Sequence, residues 1–156
     1  MLEDREVTWF PSYGAEVRGG TANCTVIVSD ELIGSPVVTD PDILIVMNNA
    51  SLDKFQPRLK QGGLLLFDSS LIKKPGLRDD IEILGVPATE ISSGTGNTKS
   101  ANMVLLGAFI MKTGLLKPES VFDAVERSMP GRKKKTVESN KIAVQEGMKY
   151  VEGKKS

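Results

Sequence analysis

The sequence predicts a three-layer α/β/α sandwich with a mostly parallel or mixed central sheet. Apolar runs of strand length alternate with longer segments of helical periodicity. Two of the runs, 42–47 and 63–68, are almost continuously apolar, which is typical of strands covered on both faces. The 156 residues show no sharp compositional break, so we expect a single domain over 1–156.

Five segments have the composition of strands. They are 7–10, 21–28, 42–47, 63–68 and 81–89. The segment between the third and fourth predicts a helix with Ser51 as N-cap and Gly62 or Gly63 at its end. Pro57 then requires either a helix that starts late or a kink.

Three further helices are predicted at 99–113, 118–128 and 137–151. Pro118 suits the first position of the second helix. The first helix is apolar almost all round, so we expect it to be buried against the sheet. The last places Val144 and Met148 among charged residues, which predicts an amphipathic helix at the surface.

The composition restricts the chemistry. The chain has no histidine, which excludes Ser-His-Asp and Cys-His nucleophile pairs and disfavours a self-contained hydrolase. The net charge is zero, which gives no reason to expect a nucleic-acid partner, but from Pro130 onward it is +5. The basic run at 132–135 predicts a solvated loop or, alternatively, a contact for an acidic partner or a phosphate.

The single cysteine, Cys24, excludes an internal disulfide. It lies in the strand-like run 21–28, where we expect a buried small thiol. The first residues resemble no secretory signal and no apolar stretch is long enough to span a membrane, so a cytoplasmic location is expected.

The segment "SYGAEVRGGTANC", 12–24, is the first candidate binding loop. Gly19 and Gly20 allow successive N–H groups to point into one concavity, as in anion-binding nests. Arg18 would then clamp a phosphate or carboxylate, with Glu16 orienting it. A hairpin-like turn with an ordinary Glu16–Arg18 surface pair explains the spacing equally well.

A second Gly- and Ser-rich loop, "SSGTGNTKSANM", precedes the buried helix and contains Gly96 and Asn97. It lacks the order of a phosphate-binding P-loop, because Lys99 does not follow a glycine. The loop offers the N–H groups of a helix N-terminus to an anion. Alternatively, Ser100 or Thr98 simply caps the helix.

Polar residues also follow two of the predicted strands. Asp68 could bind a ribose or a metal, but an Asp at a strand end more commonly caps the next turn. Asn48 and Asn49 leave the same alternatives open. No pair of carboxylates is spaced for glycosidase-like chemistry.

Four segments, in this order, resemble a known family. They are "WFPSYGAEVRGGTANCTVIVSDELIGSPVV", "PDILIVMNNASLDKF", "GGLLLFDSS" and "GNTKSANMVLLGAF". They are similar to the gamma subunit of the 2-oxoacid:ferredoxin (acceptor) oxidoreductases, above all the 2-oxoglutarate type. The resemblance runs from about Val7 to the last helix and implies the gamma-domain fold of pyruvate:ferredoxin oxidoreductase.

The resemblance implies a role within a multi-subunit enzyme that converts a 2-oxoacid and coenzyme A into an acyl-CoA and CO2 while reducing ferredoxin or a related acceptor. Thiamine diphosphate, Mg and iron–sulfur clusters would lie in alpha and beta subunits, with a further delta subunit in some members. This chain has no Gly-Asp-Gly thiamine signature and no cysteine cluster, so we expect it to hold no cofactor and no metal alone.

The resemblance also implies the site. It marks one loop, which we expect near the subunit junction and in contact with coenzyme A. Gly96 and Asn97 of the second loop are further candidate binding residues. The residues of the marked loop are Tyr13, Gly14, Glu16, Arg18, Gly19, Gly20 and Thr21.

The chain departs from the family pattern at its N-terminal end. Members usually begin with a strand, a "GxGGQG" loop and a helix, and no such motif precedes Val7 here. The chain therefore resembles an N-terminally truncated gamma domain, for which self-association is a further expectation. The alternative interpretation is a truncated paralogue that serves as a non-catalytic structural or nucleotide-binding module.

Overall fold

The computed structural model describes residues 3–12, 21–73, 76–129, 131 and 134–154 of the chain. Its strands are β1 (Glu6–Ser12), β2 (Asn23–Ser29), β3 (Ile43–Val46), β4 (Leu64–Asp68) and β5 (Glu82–Val86). Its helices are α1 (Asn49–Phe55), α2 (Ala88–Gly94), α3 (Ala101–Thr113), α4 (Pro118–Arg127) and α5 (Lys134–Lys154).

A parallel sheet with the strand order β3-β4-β5 forms the centre of the fold. The central strand, β4, is buried along its whole length, as its apolar run predicts. Leu66 packs in the core beneath α3 and α5, whereas Leu65 and Phe67 belong to a second core that includes Leu52 of α1. The predicted α/β class, with helices on both faces of the sheet, is confirmed.

The strands β1 and β2 pair with each other in a separate antiparallel sheet of two strands. Their register places Trp9 opposite Val26 and Pro11 opposite Cys24. Cys24 is exposed, so the expectation of a buried thiol is wrong. The reason is that alternate residues of a strand point to opposite faces, and the face that carries Cys24 is turned outward.

The helix that the sequence predicts after Ser51 begins and ends earlier in the structure than expected. Asn48 is the N-cap of α1, because its side-chain oxygen accepts a hydrogen bond from the N–H of Ser51. The helix ends at Phe55, and Pro57 lies in a short 3₁₀ helix, Gln56–Arg58. The proline therefore neither kinks α1 nor lies inside it.

The last predicted strand is too long, and a helix was missed at its end. β5 ends at Val86, and α2 begins directly after Pro87. Pro87 has no N–H with which to continue a strand ladder. The buried carboxylate of Asp68 holds the start of α2 by accepting hydrogen bonds from the N–H and the hydroxyl of Thr89.

The helices α3 and α5 pack closely against each other. α3 is buried, as predicted, with Val104 inaccessible to solvent. α5 is amphipathic and buries Val144 and Met148. Contact is closest where Gly107 faces the Val144 carbonyl and Gly147 faces the Val104 carbonyl, because neither glycine has a Cβ to separate the backbones.

Candidate functional site

A cleft of about 760 Å³ opens between the N-terminal ends of α3 and α5 and the C-terminal end of α4, and we call it the α3–α5 cleft. Both helices that begin there direct the positive ends of their dipoles toward it. Its lining residues are Gly96, Asn97, Lys99, Ser100, Asn102, Met103, Ser128, Met129, Lys135, Thr136, Ser139 and Asn140.

The amide of Asn97 joins the two walls of this cleft. Its Nδ2 donates hydrogen bonds to Ser100 Oγ at 2.5 Å and to Ser139 Oγ at 2.8 Å. Its Oδ1 accepts one from the N–H of Lys99 at 3.2 Å. Asn97 therefore holds the loop before α3 against α5, and its side chain is occupied by protein partners.

Ser100 and Asn140 continue this network into the interior. Ser100 occupies the N-cap position of α3 without capping it, because its hydroxyl donates to Asn140 Oδ1 at 2.7 Å. Asn140 Nδ2 donates in turn to the sulfur of Met129 at 3.3 Å. Beneath them, the buried hydroxyl of Ser92 donates to the carbonyl of Asn97 and accepts from the N–H of Ser100.

The cleft has the electrostatic character of an anion site. Lys99 and Lys135 both line it, and no carboxylate is among the lining residues that the structure describes. Because no side chain caps α3, the cleft also faces N–H groups of its first turn. Met103 and Met129 add apolar surface. A ligand with both phosphate groups and an apolar part suits this lining.

Gly96 shapes the entrance of the cleft. Its φ is +78°, a left-handed conformation in which L side chains are strained, although a Cβ there would meet no atom within 4 Å. The glycine is therefore required by the turn itself.

An ion pair joins α4 to α5 beside the cleft. Lys141 Nζ donates to Glu126 Oε2 at 2.7 Å. This hydrogen bond lowers the pKa of the Glu126 carboxyl from its ordinary value and raises the pKa of Lys141. The pair holds the two helices together beside the cleft.

Of the first candidate loop, Tyr13, Gly14, Glu16, Arg18, Gly19 and Gly20 lie outside the described residues. The strands on either side of the loop pair in register, with Ser12 opposite Asn23. Thr21 is described, and its hydroxyl accepts a hydrogen bond from Lys54 of α1 at 2.9 Å.

The polar residues that follow the strands have structural roles. Asp68 is fully buried, and its carboxylate also accepts the N–H of Ser70 at 3.0 Å. It caps its turn, as strand-end Asp residues commonly do. Asn48 caps α1 in the same way.

The structure does not bring the two candidate loops together through any described contact. Thr21 meets α1, whereas Asn97 lies with α3 and α5 on the opposite face of the sheet. Sequence reasoning found Gly96 and Asn97 but missed Ser139 and Asn140 as their partners. The only signal near that wall was the basic run, from which Lys135 enters the cleft.

The described residues hold neither a candidate metal centre nor a candidate membrane span. No group of three or more Asp, Glu or Cys side chains lies close enough together to hold a metal ion. None of the helices in the same part of the chain combines the length and apolarity that crossing a membrane requires.

Comparisons with known proteins agree on one family. A family model described as pyruvate ferredoxin/flavodoxin oxidoreductase matches residues 1–150. Ketoisovalerate oxidoreductase subunit VorA of Methanothermobacter thermautotrophicus is 40% identical over 134 residues, which are 85% of this chain and 28% of VorA. 2-Oxoglutarate synthase subunit KorC of Methanocaldococcus jannaschii is 34% identical over 149 residues, which are 94% of this chain and 78% of KorC. The chain thus spans little more than a quarter of VorA but most of KorC.

Two solved structures have the same fold. The crystal structure of the keto/oxoacid ferredoxin oxidoreductase gamma subunit from Geobacter sulfurreducens matches 96% of this chain and 82% of that subunit, with a TM-score of 0.77 and 31% identity. The 2-oxoglutarate:ferredoxin oxidoreductase from Magnetococcus marinus, solved with 2-oxoglutarate, coenzyme A and succinyl-CoA bound, gives a TM-score of 0.84 at 19% identity. That match covers 96% of this chain and 26% of the longer one, and it concerns the fold alone.

Proposed function

Because this chain belongs to the pyruvate ferredoxin/flavodoxin oxidoreductase family, we propose that it is the gamma component of a multi-subunit 2-oxoacid:acceptor oxidoreductase. The proposed reaction converts a 2-oxoacid, coenzyme A and an oxidised acceptor into an acyl-CoA, CO2 and the reduced acceptor. The observation that carries the proposal is the family match over residues 1–150, supported by the likeness to the Geobacter gamma subunit.

The proposed substrate is 2-oxoglutarate. VorA is the more identical of the two relatives, but this chain spans only 28% of it, whereas it spans 78% of KorC. The 2-oxoglutarate type is also the one that the sequence resemblance favours, and it is the type that the name of KorC gives. A branched 2-oxoacid such as ketoisovalerate is the competing substrate, and the test below includes it.

The proposed role of the chain is to bind the phosphate groups of coenzyme A. In the α3–α5 cleft, Lys99 and Lys135 supply two cations, and the first turn of α3 supplies N–H groups. Gly96 and Asn97 contribute by shaping this cleft, since the amide of Asn97 is occupied by Lys99, Ser100 and Ser139. Arg18, Gly19 and Gly20 of the first loop are a second proposed contact with coenzyme A.

The redox chemistry is proposed to lie in other subunits. The chain has a single cysteine, which cannot supply the several thiolates of an iron–sulfur cluster. Thiamine diphosphate with its Mg and the clusters are therefore assigned to alpha and beta subunits, with delta where present, and ferredoxin to the role of acceptor. The proposal places the assembly in the cytoplasm, where 2-oxoacids and coenzyme A are available.

Reconstitution tests this function. The chain is mixed with purified alpha and beta subunits, and coenzyme A-dependent reduction of a viologen dye is followed with 2-oxoglutarate, pyruvate and ketoisovalerate. We expect turnover only when the chain is present, with 2-oxoglutarate as the preferred acid. A complex that forms but has the same rate with and without the chain would favour a non-catalytic module.

The coenzyme A contact is tested within that assay. Lys99→Ala and Lys135→Ala should each raise the KM for coenzyme A by about tenfold while the KM for the 2-oxoacid stays constant. Lys149→Ala is the matched control, because Lys149 is an exposed lysine of α5 that pairs with Glu146 and does not line the cleft. An unchanged KM for coenzyme A in both cleft variants would exclude this cleft.

A further inference from the structure

The hairpin formed by β1 and β2 has one face made only of apolar residues. The cross-strand pairs Val7–Val28, Trp9–Val26 and Pro11–Cys24 place six such side chains side by side, and we call them the hairpin face. Trp9 is 60% exposed, Val26 56% and Val7 40%. Cys24 is exposed as well.

The polarity of β2 is the reverse of that in an ordinary surface strand. Thr8, Thr25 and Ile27 lie on the opposite face and are half-buried, so Thr25 is turned inward while Val26 is turned outward. On β1 both faces are partly exposed, since Phe10 of the opposite face is 49% exposed. An antiparallel sheet with one solvated face normally exposes its polar side. A two-stranded ribbon is also marginally stable by itself. The hairpin face therefore has the composition of a surface that is covered in the assembled protein.

Polar contacts hold the hairpin in place at both ends. At one end, Arg5 pairs with Asp30 at 3.1 Å and donates to the carbonyl of Leu115 at 3.0 Å. At the other, Lys54 holds Thr21. Because both ends are attached to the rest of the domain, the hairpin face is presented to solvent in a defined orientation.

The exposed area argues against a second copy of this chain as the occupant. Three of the six side chains, Val7, Trp9 and Val26, are large and strongly exposed, and together they expose about 300 Å² of apolar surface, taking roughly 250 Å² for a fully exposed Trp and about 150 Å² for a Val. Face-to-face packing of two copies would thus bury roughly 600 Å², about half of what a stable interface needs. The face instead fits as one part of a larger interface.

The charge at the rim gives the chemistry of the partner. Asp4, Glu6 and Glu31 are exposed at the end of the hairpin where β1 begins and β2 ends, next to the uncharged hairpin face. A complementary surface carries an apolar patch bordered by Lys or Arg.

We propose that the hairpin face is the docking surface for a larger subunit of the same oxidoreductase, which covers Trp9, Cys24 and Val26 with an apolar patch bordered by basic residues. The proposal rests on the proposed function for the existence of that subunit. It adds the surface through which this chain joins the assembly.

The chain carries its own two reporters for this interface. Trp9 is its only tryptophan and Cys24 its only cysteine, and both lie on the hairpin face. The added alpha and beta subunits contain tryptophans of their own. Trp9 is therefore replaced biosynthetically by 5-hydroxytryptophan, which is excited at longer wavelengths and reports on this chain alone. We expect its emission to move to shorter wavelength on assembly. The rate at which a maleimide modifies Cys24, followed on this chain by mass spectrometry, should fall by about tenfold or more.

A variant and a matched control make the test specific. Val26→Lys should weaken assembly by about tenfold and leave both reporters exposed, because a charge would be buried in the apolar contact. Val37→Lys introduces the same side chain at a position that is 71% exposed and outside the hairpin, and it should assemble normally. Circular dichroism of the free variants verifies that both are folded.

The remaining outcomes separate this proposal from the proposed function. An active complex in which Cys24 reacts at the rate of the free chain would overturn the docking surface and leave the function intact. Protection of Cys24 in the isolated chain that increases with its concentration would assign the face to a second copy instead. The absence of any complex with alpha and beta subunits would overturn both.

Discussion

A Cβ atom on Gly107 would lie 1.9 Å from the carbonyl oxygen of Val144, so the backbones of α3 and α5 are in direct contact. The contact is reciprocal, since a Cβ on Gly147 would lie 1.9 Å from the carbonyl oxygen of Val104. The same two helices open into the α3–α5 cleft at their N-terminal ends, where Ser100 meets Asn140. The glycine contact therefore sets the spacing of the cleft walls.

Gly107→Ala should destabilise the domain by roughly 3 kcal/mol or more, because the obstructing atoms are backbone and the helices must move apart. Urea unfolding followed by circular dichroism measures the change. Gly153→Ala is the control on α5, since a Cβ there meets nothing within 4 Å. That substitution should stabilise by about 0.5–1 kcal/mol. Equal unfolding midpoints for both variants would contradict the close approach of α3 and α5.

Asn140→Ala should lower the free energy of unfolding by about 1–3 kcal/mol. The substitution removes the acceptor of the buried Ser100 hydroxyl and leaves that group without this hydrogen bond. The measurement is again the free energy of unfolding. Gln145→Ala tests an exposed amide on the same helix and should change the free energy by less than about 0.5 kcal/mol. If the two variants were equally stable, the network would not contribute to the packing of α3 on α5.

Most of the central fold could be predicted from sequence because its signals are local. The apolar run of β4 and the proline at the start of α4 each identify their element without reference to the rest of the chain. α2 was missed because its start depends on Asp68, which lies 21 residues before Thr89. The exposure of Cys24 was missed for a related reason: the composition of a strand does not reveal which of its faces is turned toward the core.

Only one wall of the α3–α5 cleft, the loop before α3, could be predicted from the sequence. The glycine and the polar residues before α3 drew attention to Gly96 and Asn97 from composition alone. Their partners Ser139 and Asn140 lie about forty residues further on and reach them only because α5 packs on α3. No periodicity within either segment encodes that contact. The six residues of the first loop between Tyr13 and Gly20 stay a prediction, since they lie outside the described residues.

Arg78→Lys should lower the thermal midpoint although the charge is conserved. The guanidinium holds both carboxylate oxygens of Asp80, at 2.8 and 2.6 Å, and donates to the carbonyls of Gln56 and Leu59. A lysine ammonium cannot reproduce this planar arrangement. Arg127→Lys changes an arginine that makes a 3.8 Å ion pair with Asp123 between two exposed side chains of α4, so the thermal midpoint of this variant should stay constant.

The ion pair between Arg78 and Asp80 predicts that the stability of the fold depends on pH. Hydrogen bonding to Arg78 lowers the pKa of Asp80 from its ordinary value near 3.8. Because the folded pKa is the lower one, the pair stabilises the fold above the ordinary value, and this contribution is lost as the pH falls through the folded pKa. The stability difference between the native chain and Asp80→Asn should therefore be largest near neutral pH and shrink under acid conditions. If this stability difference stayed constant down to the lowest pH at which the chain is still folded, the charge of Asp80 would not contribute to stability.

Asp68→Asn should loosen α2 without disturbing the parallel sheet. The buried carboxylate accepts from the N–H and hydroxyl of Thr89 and from the N–H of Ser70, and each of these three bonds requires an acceptor at position 68. An amide in its place turns a donor toward one of these groups, at a cost of about 1–3 kcal/mol. Hydrogen exchange should become faster in α2 while β4 stays protected, and Asp40→Asn, at an exposed carboxylate, should leave both unchanged. Faster exchange confined to β4 would contradict the role of Asp68 in holding the start of α2.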